Sequence, residues 1–536
     1  MQQRQQLCSP TRLACALLLV FGCAGPVAAE VASAVPHELQ ADVERVRKMF
    51  DVPGIAIAVV KDGKVMVARG FGVRKLGEAA PVDAQTLFEI AANSKAFTAA
   101  MLAMLVDEGK LGWDDPVTKH LPDFQMYDPY VTREITIRDL LSNRSGLGVG
   151  AGDLLWWPSS TFSVDEIIHQ LRYIKPAFSF RSRYTYEYLP YIVAGKIVAE
   201  KRGQPWGDAV RERILTPLGM TRTTTSLAES AGVADQAAPH ASIDGKLGVV
   251  KRQPMANAAA AMGISTSAED IAKWMTLLLD AGKLAAPGAD GKERRLFSAA
   301  QSREMWTPQT PIRVNEPKPQ LAATRANFAA SGLGFELNDY KGVKLASHRG
   351  WQFGAYSMVV LAPSARLGIA IMTNAESGPA LNALRYRLLD HYLGLPPSDW
   401  IAAVGEAAAA SREQEPARGQ PEGGAKAPPS LARAGYDGEY RDPWYGGAVV
   451  KTVGGKQLLS FSRTPDMTGE LEHLRHDTFI VRWQERSLNA DAYVTFSLNP
   501  DGGIERMRLA PLSDDTDTSF DFADLVFTPV RPAPAR

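Results

Sequence analysis

The segment IAANSKAFTAAMLAMLVDEG, Ile90 to Gly109, most narrows what this chain can fold into. Phe97, Ala100, Met101, Met104 and Leu105 fall at helical offsets 0, 3, 4, 7 and 8, and the remaining surface, Ala96, Ala99, Leu102, Ala103 and Val106, is apolar as well. A helix apolar on every face has to be enclosed by other elements. Gly109 is placed to end it. At its start Lys95 has no polar face to occupy, so its amine is directed into protein or a cleft, or else out of the first turn to solvent. If enclosed, desolvation favours the neutral amine, which can take a proton from a nearby hydroxyl.

Enclosure needs a large apolar core, and 536 residues at 45% hydrophobic content supply one, with length for at least two folded units. Lys+Arg and Asp+Glu balance at 59 each, so no net field points to nucleic acid or an anionic membrane as partner. Arg4 and Arg12 precede the apolar run Leu13 to Gly22, and Val27-Ala28-Ala29 supplies small residues before Glu30, the pattern of an export signal over residues 1–29. That run is about half the ~20 residues of a membrane-spanning helix, and no later stretch is long and uncharged enough to be one. The expected location is periplasmic or secreted. Lipid attachment through Cys23 is the lesser reading, because Phe21 is bulky where a small residue is usual. Cys8, Cys15 and Cys23 all precede Glu30, so the cleaved chain has no thiol for disulfides, metal ligation or catalysis.

Ile55 to Val60 and Val65 to Ala68 read as a hairpin around Asp62-Gly63. From about Thr86 to Leu279 the pattern is mainly helical, with Ser163 capping a helix to Leu171 and Asp270 opening one to Leu279. Sheet character returns in AYSMVVLAPSARLGIAIMTN, two runs joined at residues 363–366, before a helix near Ala380 to Tyr392. Strands at both ends with helices between predict an α+β domain over residues 30–403: an antiparallel sheet closed by distant segments, flanked by helices and carrying a helical insertion. Residues 404–432, rich in Ala, Pro, Gly and charge, read as a linker. Residues 433–536 form a separate all-β unit, a small barrel or sandwich, from the alternating runs at 448–453, 457–461, 479–483, 493–498 and 504–509.

FEIAANSKAFTA, Phe88 to Ala99, resembles the S-x-x-K opening of the beta-lactamase-like serine hydrolases, which include class C beta-lactamases, D,D-peptidases and related esterases. ITIRDLLSNRSGL, RSRYTYEYLPYIVAG, PLGM, MGISTSAEDIAKW and SHRGWQFGAYSMVVLAP resemble later motifs of that family, in its order, between Val52 and Asn374. YDGEYRDPW resembles the start of an accessory β domain often appended to such hydrolases. The resemblance implies a beta-lactamase/transpeptidase-like fold and acyl-enzyme hydrolysis of an ester, amide or beta-lactam. It implies a small-molecule or peptide-like acyl substrate, no cofactor and no metal. It puts the family nucleophile at Ala92, which has no hydroxyl, the base at Lys95 and a proton shuttle at Tyr186. Tyr188 stands where the family has Asn, and its larger phenol fills space that a substrate amide would use. His348-Arg349-Gly350 fits the His form of the third motif, with Gly350 letting the backbone approach a ligand. The Trp351 N–H and the N–H of residue 92 are the implied oxyanion-hole donors, and both are independent of side chain.

Three readings of Ala92 compete: a naturally non-acylating relative, an altered copy of an active enzyme, and an enzyme with another nucleophile. Tyr188 supports the first. Intact Lys95, Tyr186 and His348 support the second. The third needs Ser94 or a water activated by Lys95 and Tyr186, and Ser94 points about 100° away from Lys95 on a helix. A non-catalytic binding protein for peptidoglycan-like or acyl ligands is the non-enzyme alternative. Trp156-Trp157 is read as packing rather than a lid. His473 and His476, three apart in a strand-rich region, face opposite sides and are not read as metal ligands. Nothing in the sequence assigns an oligomeric state.

Overall fold

The computed structural model describes residues 35–288, 290–414 and 427–530, so the expected export signal, the three cysteines and residues 415–426 of the expected linker lie outside the described residues. After α1 (Leu39–Met49), Asp62 and Gly63 adopt φ of 52° and 75°. This left-handed pair matches the twist of a tight hairpin, which joins β1 (Gly54–Lys61) to β2 (Lys64–Gly72). Every residue of β1 from Gly54 to Val60 is buried, as its unbroken apolar run requires of a strand covered on both faces.

The helical insertion follows. A short turn leads into α2 (Ser94–Asp107), whose residues from Ser94 to Leu105 are all buried, as an all-apolar helix demands. Phe97 stacks on Trp274 at 4.1 Å. Gly109 takes φ 69° and the Lys110 N–H closes on the Leu105 carbonyl, ending the helix. Farther on lie α3 (Val164–Gln170), with Ser163 and Glu166 forming its capping box, and α4 (Leu189–Arg202). Farther along the chain, α5 (Ala268–Leu279) starts two residues before the expected Asp270. Ser267 is the cap, accepting the Asp270 N–H, while the Asp270 carboxylate accepts the N–H groups of Arg222 and Thr223.

The chain then returns to the sheet through β3 (Thr310–Pro311), β4 (Ala329–Ser331), β5 (Glu336–Tyr340), β6 (Val343–Gln352), β7 (Ala355–Ala362) and β8 (Leu367–Thr373). Among the described residues the sheet has eight strands in the order β2-β1-β8-β7-β6-β5-β4-β3. Its two distant ends meet where β1 pairs with β8, from Ile55 opposite Thr373 to Lys61 opposite Leu367. Alternation splits the core: Ile55, Ile57 and Val59 face α1, α6 (Gly378–Tyr392) and α7 (Trp400–Gln414), while Ala56, Ala58 and Val60 face the helical side that includes α2 and α5.

Buried Asp390 ties three elements together, accepting from Tyr340 Oη and Lys341 Nζ on one oxygen and from Trp400 Nε1 on the other, at 2.7, 2.8 and 2.7 Å. Asp390→Ala is expected to destabilise the protein by about 3 kcal/mol in urea unfolding, since buried donors lose their acceptor.

The linker expected at 404–432 begins later, because α7 runs through its first residues to Gln414. EAAAASRE has the composition of a strong helix former, and Ile401 and Val404 anchor it on the sheet-covering core.

The C-terminal unit contains β9 (Gly438–Asp442), β10 (Gly446–Val453), β11 (Lys456–Phe461), β12 (Thr468–Arg475), β13 (Thr478–Trp483), β14 (Ala492–Leu498), β15 (Ile504–Pro511) and β16 (Thr528–Pro529). Their order is β15-β14-β13-β12-β11-β10-β9-β16, and a bridge from Met507 to Phe527 brings the ends together into a nearly closed barrel. It is not a detached unit: its core is continuous with that of the helical side of the first domain. His473 Nε2 pairs with the His476 carbonyl at 2.8 Å, and no cluster of metal-ligating side chains occurs among the described residues. No helix among them is long and apolar enough to cross a membrane.

Candidate active site

Two short strands, Phe88–Glu89 and Ser265–Thr266, pair and deliver the chain into a 3-10 turn, Ala91–Asn93, directly ahead of α2. Ala91 is held at φ 47°, a left-handed conformation costing a non-glycine residue about 1–2 kcal/mol. Strain of this kind is concentrated at functional sites, and here it adjoins Ala92. The Ala92 methyl is buried, with 1% of its surface exposed.

Lys95 is fully buried, which removes the solvent-reaching alternative. Its Nζ donates to the Glu187 carbonyl at 2.8 Å and lies 3.8 Å from the ring centre of Tyr186, 4.2 Å from that of Tyr188 and 4.8 Å from that of Tyr191. Burial pulls its pKa down to about 7, with the carboxyl groups of Asp153, Glu187 and Glu336 opposing only in part. Half-buried Tyr186 and Tyr188 come from the segment running into α4. The Tyr186 hydroxyl is 3.2 Å from His348 Nε2 on β6, and burial raises the phenol well above its ordinary range. Burial, then the Lys95 charge, push His348 down to about 3, so its ring is neutral at physiological pH. The Tyr188 ring meets Tyr186 edge-on at 5.2 Å and occupies the space beside the Lys95 amine.

Gly350 also has a packing reason to be glycine. A Cβ there would stand 2.0 Å from the Ile90 carbonyl oxygen and 2.5 Å from Ser357 Oγ, so glycine lets β6 press against the turn that carries Ala92. The Ser357 hydroxyl, 2.8 Å from the Asn93 amide, donates to the Ile90 carbonyl at 2.8 Å and fixes the same junction. Gly350→Ala is expected to destabilise by about 3 kcal/mol, read as a lowered urea midpoint, because the obstructing atom is backbone. Trp351 is half-buried, with its ring 5.2 Å from that of Trp157. Trp156 and Trp157 are buried packing residues, as read from the sequence, and both belong to the wall of this site: Trp156 lies 4.8 Å from Tyr188, and Trp157 stacks on Phe353 at 4.5 Å.

The structure therefore gathers Ala92, Lys95, Tyr186, Tyr188, His348, Gly350 and Trp351 around one buried centre. Ser94 does not join them. It is fully buried and its Oγ accepts the Ile264 N–H at 3.0 Å.

Two acids unmarked by the sequence motifs act on the Lys95 charge. Glu187, between the two tyrosines, accepts the Ser145 N–H on Oε1, while Oε2 has no hydrogen-bond partner among the described residues; burial lifts its pKa to about 8. Asp153 accepts from Trp156 Nε1 at 2.9 Å and is lifted by burial to about 7. The only sequence signal for Glu187 was a carboxylate flanked by candidate site residues.

The Beta-lactamase family model matches residues 39–393, and a domain of unknown function, DUF3471, matches residues 423–529. An unguisins hydrolase from Aspergillus campestris is 29% identical over 490 residues, covering 86% of each chain. Penicillin-binding protein 4 from Amycolatopsis lactamdurans is 29% identical over 347 residues, 62% of this chain and 83% of its own. The octameric penicillin-binding protein homologue from Pyrococcus abyssi superposes with a TM-score of 0.57 at 21% identity, covering 90% of this chain and 97% of its own, a likeness of fold. With the model spanning the sheet, the α2 turn and β6, and so every residue gathered around the buried amine, the chain belongs to the Beta-lactamase family.

Proposed function

We propose that this chain is an exported member of the family that binds a small-molecule or peptide-like acyl compound at the Lys95 centre and does not acylate itself. The observation that carries the reading is an alanine at the nucleophile position one turn before a buried, proton-accepting lysine. A methyl group has no lone pair with which to attack a carbonyl. The surrounding parts still suit acyl recognition. Lys95, poised near neutrality, is the base, since proton transfer is best served by a group whose pKa lies near the working pH. Tyr186 stays a phenol and relays protons. The backbone N–H groups of Ala92 and Trp351 suit the carbonyl oxygen of such a compound, a contribution that needs no side chain. Tyr188, beside the amine, favours ester-like carbonyl compounds over amides. The names of the relatives, a hydrolase and a penicillin-binding protein, support an acyl compound as the ligand class.

Incubation with a fluorophosphonate and with a fluorescent penicillin tests this reading. The unaltered protein is expected to show no adduct by intact mass, whereas a stable adduct at Ser94 would sink the assignment of position 92. Export is tested by the N-terminus of the protein recovered outside the cytoplasm, expected at Glu30.

A further inference from the structure

We propose that the C-terminal barrel is part of the acyl site, and that its Phe520 limits the size of the group admitted over Ala92. After β15 the barrel's chain makes a 3-10 turn, Thr518–Phe520, capped by Asp517, whose carboxylate accepts the Ser519 N–H at 2.7 Å. This turn lies against residues 150–153 of the first domain. Ser519 Oγ donates to Asp153 at 2.9 Å, and the Gly152 N–H donates to Asp521 at 2.6 Å. At Gly150 the two backbones touch: a Cβ there would stand 2.2 Å from the Thr518 carbonyl oxygen, and the residue's φ of 75° already favours glycine. Three independent contacts therefore seat one turn of the barrel on one loop of the other domain.

That loop leads straight to the buried amine. Asp153, held by Ser519, in turn holds Trp156 Nε1, Trp156 lies against Tyr188, and the Tyr188 ring lies 4.2 Å from Lys95 Nζ. Alongside, Trp157 is boxed by Phe353, by Trp351 and, edge-on at 6.5 Å, by Phe520. Phe520 is itself buried, although it belongs to the other domain. The aromatic wall thus begins at the tyrosines beside Lys95 and is completed by a ring from the barrel. Separate ion pairs, Arg463 with Glu166 and Lys251 with Asp466, also join the barrel to the first domain elsewhere. Truncating Phe520 frees Trp157 to move away from Trp351 and widens the approach to position 92.

The proposal rests on the acyl-site reading only in placing the ligand at residue 92, and its test is independent of turnover. Ala92→Cys puts a thiol at that position, and its alkylation is read by peptide mass mapping with iodoacetamide and with the bulky N-(1-pyrenyl)maleimide. Adding Phe520→Ala is expected to raise the pyrenyl-to-iodoacetamide rate ratio by about tenfold or more, and Phe520→Tyr to leave it near the parent value. A ratio that stays fixed, whether both rates rise together through loosening or the bulky reagent never reacts, overturns the proposal. If the ratio shifts but Ala92→Ser never takes up a fluorophosphonate, the wall stands and the acyl chemistry fails. Uptake with a fixed ratio means the reverse.

Discussion

Ala92→Ser is expected to turn the chain from one that forms no adduct into one that is covalently modified by a fluorophosphonate, with a rate gain of about 10⁴ or more. Nucleophile removal in a serine hydrolase costs on the order of 10⁶ in turnover and leaves only oxyanion-hole and binding effects, so restoring the hydroxyl returns the largest single contribution. Both backbone donors implied for the hole are already present, and the Lys95 amine one turn on has its pKa pulled down to about 7 by burial. The rate gain is set below the full nucleophile effect because Tyr188 crowds the amine. Stability gives a second reading of the same variant. A buried hydroxyl left without a partner costs about 1–3 kcal/mol, so a serine that reaches Lys95 or Tyr186 leaves the urea midpoint nearly unchanged. A destabilised variant that also resists labelling would place the new oxygen away from the amine and remove residue 92 from the nucleophile role.

How much of this was legible in the sequence depends on how local each signal is. The 55–68 hairpin was readable from two apolar runs and one Asp-Gly pair, and the enclosed α2 from a helix with no polar face; both are decided within a dozen residues. The barrel was half readable. TGELEHLR, which forms β12, carries too few apolar residues to announce a strand, and its pairing is supplied by β11 and β13 on either side. The Ala-rich second half of α7 looked like linker because the helix's anchors, Ile401 and Val404, lie in its first turns. In the site, Lys95, Tyr186 and His348 were found through the resemblance of their motifs to the serine-hydrolase family. Glu187 and Asp153 were not, since a lone acid is usually solvated, and only the tertiary fold shows that these two are buried and act on the Lys95 charge. Residues 517–521, mostly polar, carry no local signal of the domain contact that places Ser519 on Asp153.

In the Ala92→Ser background, Lys95→Met is expected to slow fluorophosphonate uptake by about 10²–10⁴, the usual contribution of a positioned general base. The same substitution changes how stability depends on pH, and the sign follows from which state holds more protons. The Lys95 amine titrates near 7 when folded, against an ordinary value of 10.5, so between these values the unfolded chain binds the extra proton. Its contribution to stability therefore rises with pH across that window and is at its worst below about pH 7. Asp153 and Glu187 run the other way: raised to about 7 and about 8, they favour the folded state below the ordinary carboxyl range and lose that advantage as pH climbs through those values. Between about pH 7 and pH 8 the two trends oppose each other in the unaltered protein, and above that only the lysine trend remains. Methionine removes the lysine trend, so the variant's stability should fall more steeply from pH 6 to pH 9, by a difference of a few kcal/mol at most, since one pKa unit is worth about 1.4 kcal/mol. It also leaves the Glu187 carbonyl without its donor, which shifts the curve at every pH but adds no slope. Urea unfolding at pH 6, 7.5 and 9 separates the two effects. Parallel curves for the two proteins, with undiminished labelling, would take the base role away from Lys95.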